Sequence, residues 1–462
     1  MTSMPAIREQ TGEDGGIRMP PRPAVVAAVA VLIGMVSAAV AWLRLPATAR
    51  DTLWAEDGRD FLQGAIDAGF TETFAPYGGY LHVIPRIIAG FAAALPVESM
   101  AIAMTAGSCL VAGGCAAIVW LCARRLLLPA HAVLIAALTV LAPLAAREVL
   151  GNTANLHTLM MWTLLWLLLV TPRRPVFAVA SAILAAAAAL TEIQAVLLVP
   201  VALWRVRDPL RRIVACGLLL GTASQIASAL LSPRRQTAFG HVEPLSYAKG
   251  LIVNAVLPFV LPQQEIGPAL AGRSLLVVLG AAAVLGVLLG VLLRSASRSH
   301  RILVALLLAG AVIVYCGSVY ANPEDYYDYA GHTAPQLRSI WLPRYGVLPS
   351  MLVAAAVVVA ADGTVRAGRD RSGAGRTRAL RARIAVAALA ASLVLHVVPW
   401  DTRRSQGPAW SPQVEDARRL CAAAPPRDTV TLKQTLAWEV SVPCDRLRAD
   451  PPPRKPLKED TP

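Results

Sequence analysis

Three carboxylates, Glu56, Asp57 and Asp60, fall within five residues in the run Asp51-Thr-Leu-Trp-Ala-Glu-Asp-Gly-Arg-Asp-Phe61. If the run is helical, Glu56 and Asp60 are four apart and Asp57 and Asp60 three apart, so the acids share a face. Crowded carboxylates raise one another's pKa. That suits a general base or a divalent cation held by Glu56 and Asp57. The plainer reading is a solvated acidic loop. Trp54 and Phe61 flank the acids, however, and such aromatics settle at membrane surfaces. The acids would then meet the headgroup of a membrane-embedded substrate.

Further candidates recur along the chain. After the turn at Pro76-Tyr-Gly-Gly, the apolar stretch from Leu81 to Leu95 reads as a helix lying in the membrane interface, with His82 and Arg86 four apart on one face. Arg86 suits a phosphate, because its fork pairs with two oxygens; a side chain snorkelling to the headgroups fits equally. Arg147, Glu148, Asn152, Asn155 and His157 form a polar group that could bind sugar hydroxyls or a diphosphate. For the two Asn, helix capping is the slightly favoured alternative. Glu192, beside Gln194, sits at a break between two short apolar runs, where an acid is costly unless it lines a polar cavity or reaches water. The runs Asn322-Pro-Glu-Asp-Tyr-Tyr-Asp-Tyr329 and Trp341-Leu-Pro-Arg-Tyr345 mix acids with aromatic rings. Rings stack on sugar faces and acids accept from hydroxyls, so Asp325 and Tyr345 are sugar-binding candidates. A belt of interfacial aromatics accounts for the rings but less readily for Asp325 and Asp328. Arg344 and Lys249 are the second and third phosphate candidates, with simple anchoring the alternative for Arg344.

The elements that must position these residues are membrane helices. Of 462 residues, 56% are hydrophobic and 16% charged, with mean hydropathy +0.55. This excludes a disordered chain and argues against a purely soluble one. Apolar runs long enough for a bilayer, or nearly so, occur at 24–43, 99–123, 126–146, 156–171, 175–190, 193–204, 213–232, 274–293, 302–320, 345–361 and 384–400. The expectation is therefore an all-α polytopic membrane protein of about 11 transmembrane helices, with interfacial helices in the first external loop. The fifth and sixth runs are short and meet at Thr191-Glu192, as a broken pair dipping from one surface. The stretch 250–262 is too short to cross and reads as re-entrant or surface-lying.

Orientation follows from the loops. With a cytoplasmic N-terminus, the cytoplasmic loops carry 18 Arg against three acids, Asp208, Asp362 and Asp370. The opposite loops are acidic or balanced. This is the positive-inside pattern, and it explains most of the +14 charge without nucleic acid. Lys occurs only four times, and with the heavy Ala usage this resembles a GC-rich bacterial coding bias. The expected division is a cytoplasmic tail at 1–23 without a cleaved signal, a transmembrane domain at 24–400 with its first external loop at 44–98, and an external tail or small cap at 401–462. The last residues, from Pro451, read as disordered. Cys421 and Cys444 lie in that external region, where a disulfide is permitted. No tract has metal-ligand Cys/His spacing, and no nucleotide-binding Gly-rich loop appears.

Trp54-Ala-Glu-Asp-Gly with Phe61, followed by Tyr77-Gly-Gly-Tyr-Leu-His and Pro85-Arg86, resembles the first-loop pattern of bacterial integral-membrane glycosyltransferases of the GT-C superfamily. The layout of apolar runs follows that superfamily over about 400 residues; the local motif covers only 54–86. The resemblance implies a bacterial plasma-membrane enzyme that takes sugar from a polyprenyl-phosphate carrier at the outer face. It also implies that Asp57, with Glu56, is the catalytic acidic position. Asp57 would deprotonate the acceptor hydroxyl of a glycan, lipid or protein. Arg86, Arg344 or Lys249 would neutralise the leaving phosphate, and Asp60, His82, Asn155, His157, Glu192, Asp325 and Tyr345 would line the sugar and acceptor sites. A lipid-carrier flippase or transporter shares many helices and a broken pair, but needs charges near mid-membrane, where these runs are almost charge-free. A polysaccharide polymerase or ligase of the envelope, or an inactive scaffold of the same layout, are the other readings.

Overall fold

The apolar runs fold as helices, and proline sets where several of them begin. In a computed structural model that describes residues 22–204, 206–233, 242–368, 373–399, 401–425 and 428–449, the main helices are α1 (Pro23–Leu43), α2 (Val83–Ala93), α3 (Met100–Ala123), α4 (Pro129–Leu141), α5 (Leu156–Leu169), α6 (Pro175–Ala189), α7 (Pro209–Leu231), α8 (Pro244–Ala255), α9 (Gln263–Leu293), α10 (Arg298–Ala321), α11 (Val347–Ala367) and α12 (Gly373–Leu395). Pro23, Pro129, Pro175, Pro209 and Pro244 occupy first turns, where the missing N–H would have had no helical partner. The protein is an almost wholly helical membrane protein. Seven of its helices are long and apolar enough to cross a bilayer: α1, α3, α4 with the short Ala145–Glu148 turn, α7, α9, α10 and α11. The expected tails at 1–21 and from Asp450, and Arg205, Asp370 and Trp400, lie outside the described residues.

Helix α11 is the axis. Every residue from Val347 to Val365 is buried, packed by α10 and α12 and by α4, α8 and α9. Its Asp362, without solvent exposure, binds two other elements, the start of α4 and α10. Oδ1 accepts from the Leu128 amide and from His131 Nδ1, both at 2.7 Å. Oδ2 faces His300 Nε2 at 3.2 Å and takes a short hydrogen bond from Arg366. That end of the bundle is the arginine-rich one. Small residues let other pairs approach closely: a side chain at Gly217 would run into the Ala182 carbonyl, so α7 lies directly on α6.

Several boundaries differ from the apolar runs. Helices α9 and α12 each begin eleven residues before theirs, at Gln263 and Gly373. Hydropathy stops at charges, but Arg, Gln and Ala are good helix formers, so the helix continues. Helix α9 bends at Arg273, whose φ is −151°. The stretch read as re-entrant folds as α8 plus a 3-10 turn, Leu257–Phe259. The broken pair is visible: α6 ends at Ala189, and a 3-10 segment, Ile193–Leu198, leads into Val199–Leu203. Glu192 starts that segment, its Oε1 accepting from the Gln194 amide at 2.7 Å.

The chain's last described part is a folded cap rather than a loose tail. Helix α13 (Trp410–Ala423) packs on an antiparallel hairpin of β1 (Thr429–Lys433) and β2 (Glu439–Pro443), paired from Thr429↔Pro443 to Lys433↔Glu439. Helix α14 (Cys444–Ala449) closes it, with Cys421 and Cys444 disulfide-bonded. Cross-linking residues 23 apart contributes about 3 kcal/mol by limiting the unfolded chain. Cys444→Ser is therefore expected to expose 401–449 to proteolysis well below the temperature at which the bundle unfolds. Unchanged protection would count against the disulfide as the cap's main staple.

Candidate functional site

The acidic run does not form an ordinary α-helix. Residues Asp57–Leu62 make a π-helical turn, a form that recurs at functional sites. Its wide winding turns adjacent acids to different sides. Asp57 points inward: it is 1% exposed and accepts three hydrogen bonds, from the Thr153 amide (2.9 Å), Thr153 Oγ1 (2.8 Å) and the Ala154 amide (2.7 Å). Burial pushes its carboxyl up to about 6, against those bonds and the nearby Arg404. The expected cause, repulsion among the three acids, is not what raises it. Asp60 turns outward to Arg59, at 3.0 Å, whose guanidinium lies 3.3 Å from the Trp438 ring centre. Glu56 keeps a different company. Its Oε2 is buried without a hydrogen-bond partner, and it acts electrostatically on Tyr77, Tyr80 and Arg344.

The cap holds this segment in place. The Ala55 amide donates to Thr435 Oγ1 at 2.9 Å, and Gln434 Nε2 donates to the Ala55 carbonyl at 2.7 Å. Gly58 is glycine for want of room, since a side chain there would meet Gln434 and Val440. Arg404, buried, donates to the Thr52 and Leu150 carbonyls and to Thr105 Oγ1. It joins the cap, the acidic segment, α3 and the loop before α5.

Tyr80 marks the centre. Its phenol lies in the field of Glu192, Tyr345, Arg344 and Glu56, and burial, with Glu192, holds it above the usual phenol range. Three groups are linked to it, two through Arg344 and Glu192 and the third through Glu148, the partner of Arg344. In the first, Arg344 Nη1 pairs with Glu148 Oε1 at 2.8 Å, while its Nε is buried and unpartnered; Tyr345 stacks on Tyr327 at 5.9 Å. In the second, His157 Nδ1 makes a short hydrogen bond to Glu192 Oε2. In the third, Arg403 of the cap lies against the Trp341 ring, which Arg147 also approaches. Burial and Arg147 lower Arg403 to about 9, and its Nε and Nη2 are buried without partners. Three guanidinium nitrogens, Arg344 Nε and Arg403 Nε and Nη2, are thus buried without an acceptor, and buried donors are ordinarily satisfied.

Other sequence candidates are engaged elsewhere. Arg86 pairs with Glu72 at 3.1 Å behind the Phe61 ring. His82 is 3% exposed among the rings of Phe61, Tyr77 and Tyr80, and burial drives it down to about 3, so it is neutral. Lys249 donates to the Tyr329 carbonyl at 2.7 Å. Asp325 is exposed on its loop. Asn155 stands at the N-cap position, just before α5, without capping it; its side chain donates to the Glu148 carbonyl, and Asn152 Oδ1 accepts from the Asn155 amide instead. No group of three or more His, Cys, Asp or Glu among the described residues could hold a metal ion. Asp57, with both oxygens taken by amides and a hydroxyl, does not fit as a cation ligand beside Glu56.

Beneath this cluster lies an apolar slot of about 100 Å³ lined by Met161, Leu165, Leu197, Ile313, Leu348 and Leu352 among others. Met161 and Leu165 follow His157 at helical spacing on α5, and Leu348 and Leu352 follow Arg344 on the way down α11. His157 and Arg344 therefore each stand one turn before residues that line the slot. Sequence reasoning missed Arg403 and Arg404. The available signal was an arginine pair standing where the neighbouring loops are acidic or balanced. Compared with known proteins, the chain matches no family model and no curated sequence.

Proposed function

We propose that the protein is a GT-C-type glycosyltransferase that moves a sugar from a polyprenyl-phosphate donor to a cell-envelope glycan, lipid or protein. The observation that carries this reading is a set of buried polar atoms without hydrogen-bond partners, on Arg344, Arg403 and Glu56, together with an apolar slot whose lining begins one helical turn after His157 and Arg344. A lipid phosphate supplies what each part lacks: a hydrocarbon chain for the slot, acceptor oxygens for the guanidiniums. The topology we assign keeps eleven membrane segments: the seven long helices, α5 and α12 as crossings, and α6 with the 193–203 segment as the broken pair that enters and leaves on the arginine-rich side. The arginine-rich end then faces the cytoplasm of a bacterial plasma membrane and the cap faces outward.

In this reading Glu56 is the base. It takes the proton of the acceptor hydroxyl as that oxygen bonds to the anomeric carbon. The bond from that carbon to the phosphate oxygen breaks in the same step, with inversion, and its electrons leave on the phosphate. Arg344 and Arg403 stabilise that charge in a site largely closed to water. Asp57 positions Glu56 by fixing the π-turn to the 153–154 loop. No step is routed through a metal.

Arg403→Ala is the clean test, because its side chain satisfies no buried acceptor, whereas removing Arg344 would strand Glu148. We expect a fall in donor kcat/KM of about 100-fold with thermal stability within a few degrees of wild type, measured with a panel of polyprenyl-phosphate sugars. Wild-type turnover that is indifferent to Arg403 would remove the phosphate site. Donor that crosses liposomes unconsumed would replace the transferase with a flippase.

A further inference from the structure

We infer that His157, oriented by Glu192, is the proton donor to the departing phosphate; this rests on the transferase reading above. Glu192 is 5% exposed and has both oxygens committed, Oε1 to the Gln194 amide and Oε2 to His157 Nδ1. A carboxylate on one ring nitrogen fixes the tautomer, stabilises the imidazolium and leaves the other nitrogen to do chemistry. His157 Nε2 makes no hydrogen bond among the described residues, and the side chain is 18% exposed. The ring stands at the top of the slot, one helical turn above Met161, where the phosphate would arrive.

The titratable groups against it are Glu192 from the turn after α6 and His82 from the first loop; Glu192 in turn acts on Tyr80, which also lies in the field of Arg344 and Tyr345. His82 is held neutral by burial, whereas His157 has a carboxylate on one ring nitrogen. As the bond from the anomeric carbon to oxygen breaks, its electron pair goes to the phosphate oxygen and the Nε2 proton follows. Glu56 holds the proton taken from the acceptor. Afterwards Glu56 is protonated and His157 neutral, and exchange with water restores both. Glu56 and Glu192, the partner of His157, both act on Tyr80 from different parts of the chain, so one acid–base group serves the acceptor and the other the leaving group.

The test has two arms on the full chain in lipid nanodiscs. In the first, short-chain prenyl phosphate is added to protein carrying ¹⁵N-labelled histidine. The His157 Nε2 resonance, assigned by its loss in His157→Gln, should move, and Glu192→Gln should weaken the response. A resonance unmoved by prenyl phosphate overturns the inference. In the second, His157→Gln should lower kcat about 100-fold with donor KM unchanged, and remove the limb of the kcat profile that falls as the pH rises. A donor with a diphosphate leaving group, which departs without help from an acid, should restore turnover. Equal slowness with both donors would make His157 a structural tie. If wild type transfers no sugar while the resonance still moves, the transferase reading fails and phosphate contact at His157 stands.

Discussion

Glu56→Gln is expected to reduce sugar transfer about 1,000-fold with donor binding and fold intact. An amide cannot take the acceptor's proton, and loss of a general base costs two to four powers of ten. The fold has little to lose, because Glu56 Oε2 binds nothing and the residue is only half-buried. Asp57→Asn should also be inactive, for a different reason. Both Asp57 oxygens accept from N–H or O–H donors, and an Asn NH₂ would face one of them. The 150–156 loop should then lose protection from amide exchange, which it keeps in Glu56→Gln. The pH response separates the two further. The carboxyl of Asp57 is lifted from 3.8 to about 6, so its contribution to stability is fully present below 3.8 and is lost as pH rises through 6. That slope should vanish in Asp57→Asn and persist in Glu56→Gln. If Glu56→Gln retains wild-type turnover, the base is not Glu56.

Asp362→Leu should be the most destabilising single change, by about 3–5 kcal/mol, because it strands buried charge and hydrogen-bond donors. One carboxylate serves the Leu128 amide, His131, His300 and Arg366, from four places in the chain. Thermal unfolding in detergent reads the loss directly, and Asp362→Asn should recover only part of it, since one of its two groups cannot accept. A variant as stable as wild type would show that α4, α10 and α11 are held by packing alone.

The bundle was legible because hydropathy and proline are local signals. Pro129 and Pro209 start helices wherever the chain goes later. The early starts of α9 and α12 were hidden because Gln263 and the arginines after Gly373 end a hydropathy run without ending a helix. In the site, residue types near 56–60 pointed to an acid centre, but spacing could not decide which neighbour faced inward. That choice is made by Thr153, 96 residues away. Arg86 and Arg344 each pair with a glutamate and each keep a buried Nε without a partner; what spacing could not show is their company, the Phe61 ring for Arg86 and Tyr80 with Glu56 for Arg344. Arg403 was hidden because nothing local distinguishes a folded cap from a polar tail. Its place depends on Trp341 and on the Arg147 carbonyl, which accepts from the Arg403 amide.

The grip of Thr435 and Gln434 on Ala55, and of Ser411 on Asp51, joins positions some 360–380 apart in the chain. A ribosome makes Ala55 some 380 residues before its clasp. Until Gln434 and Thr435 emerge, nothing of the cap grips the backbone beside Glu56, and a stop codon anywhere before Gln434 would leave that turn unclasped.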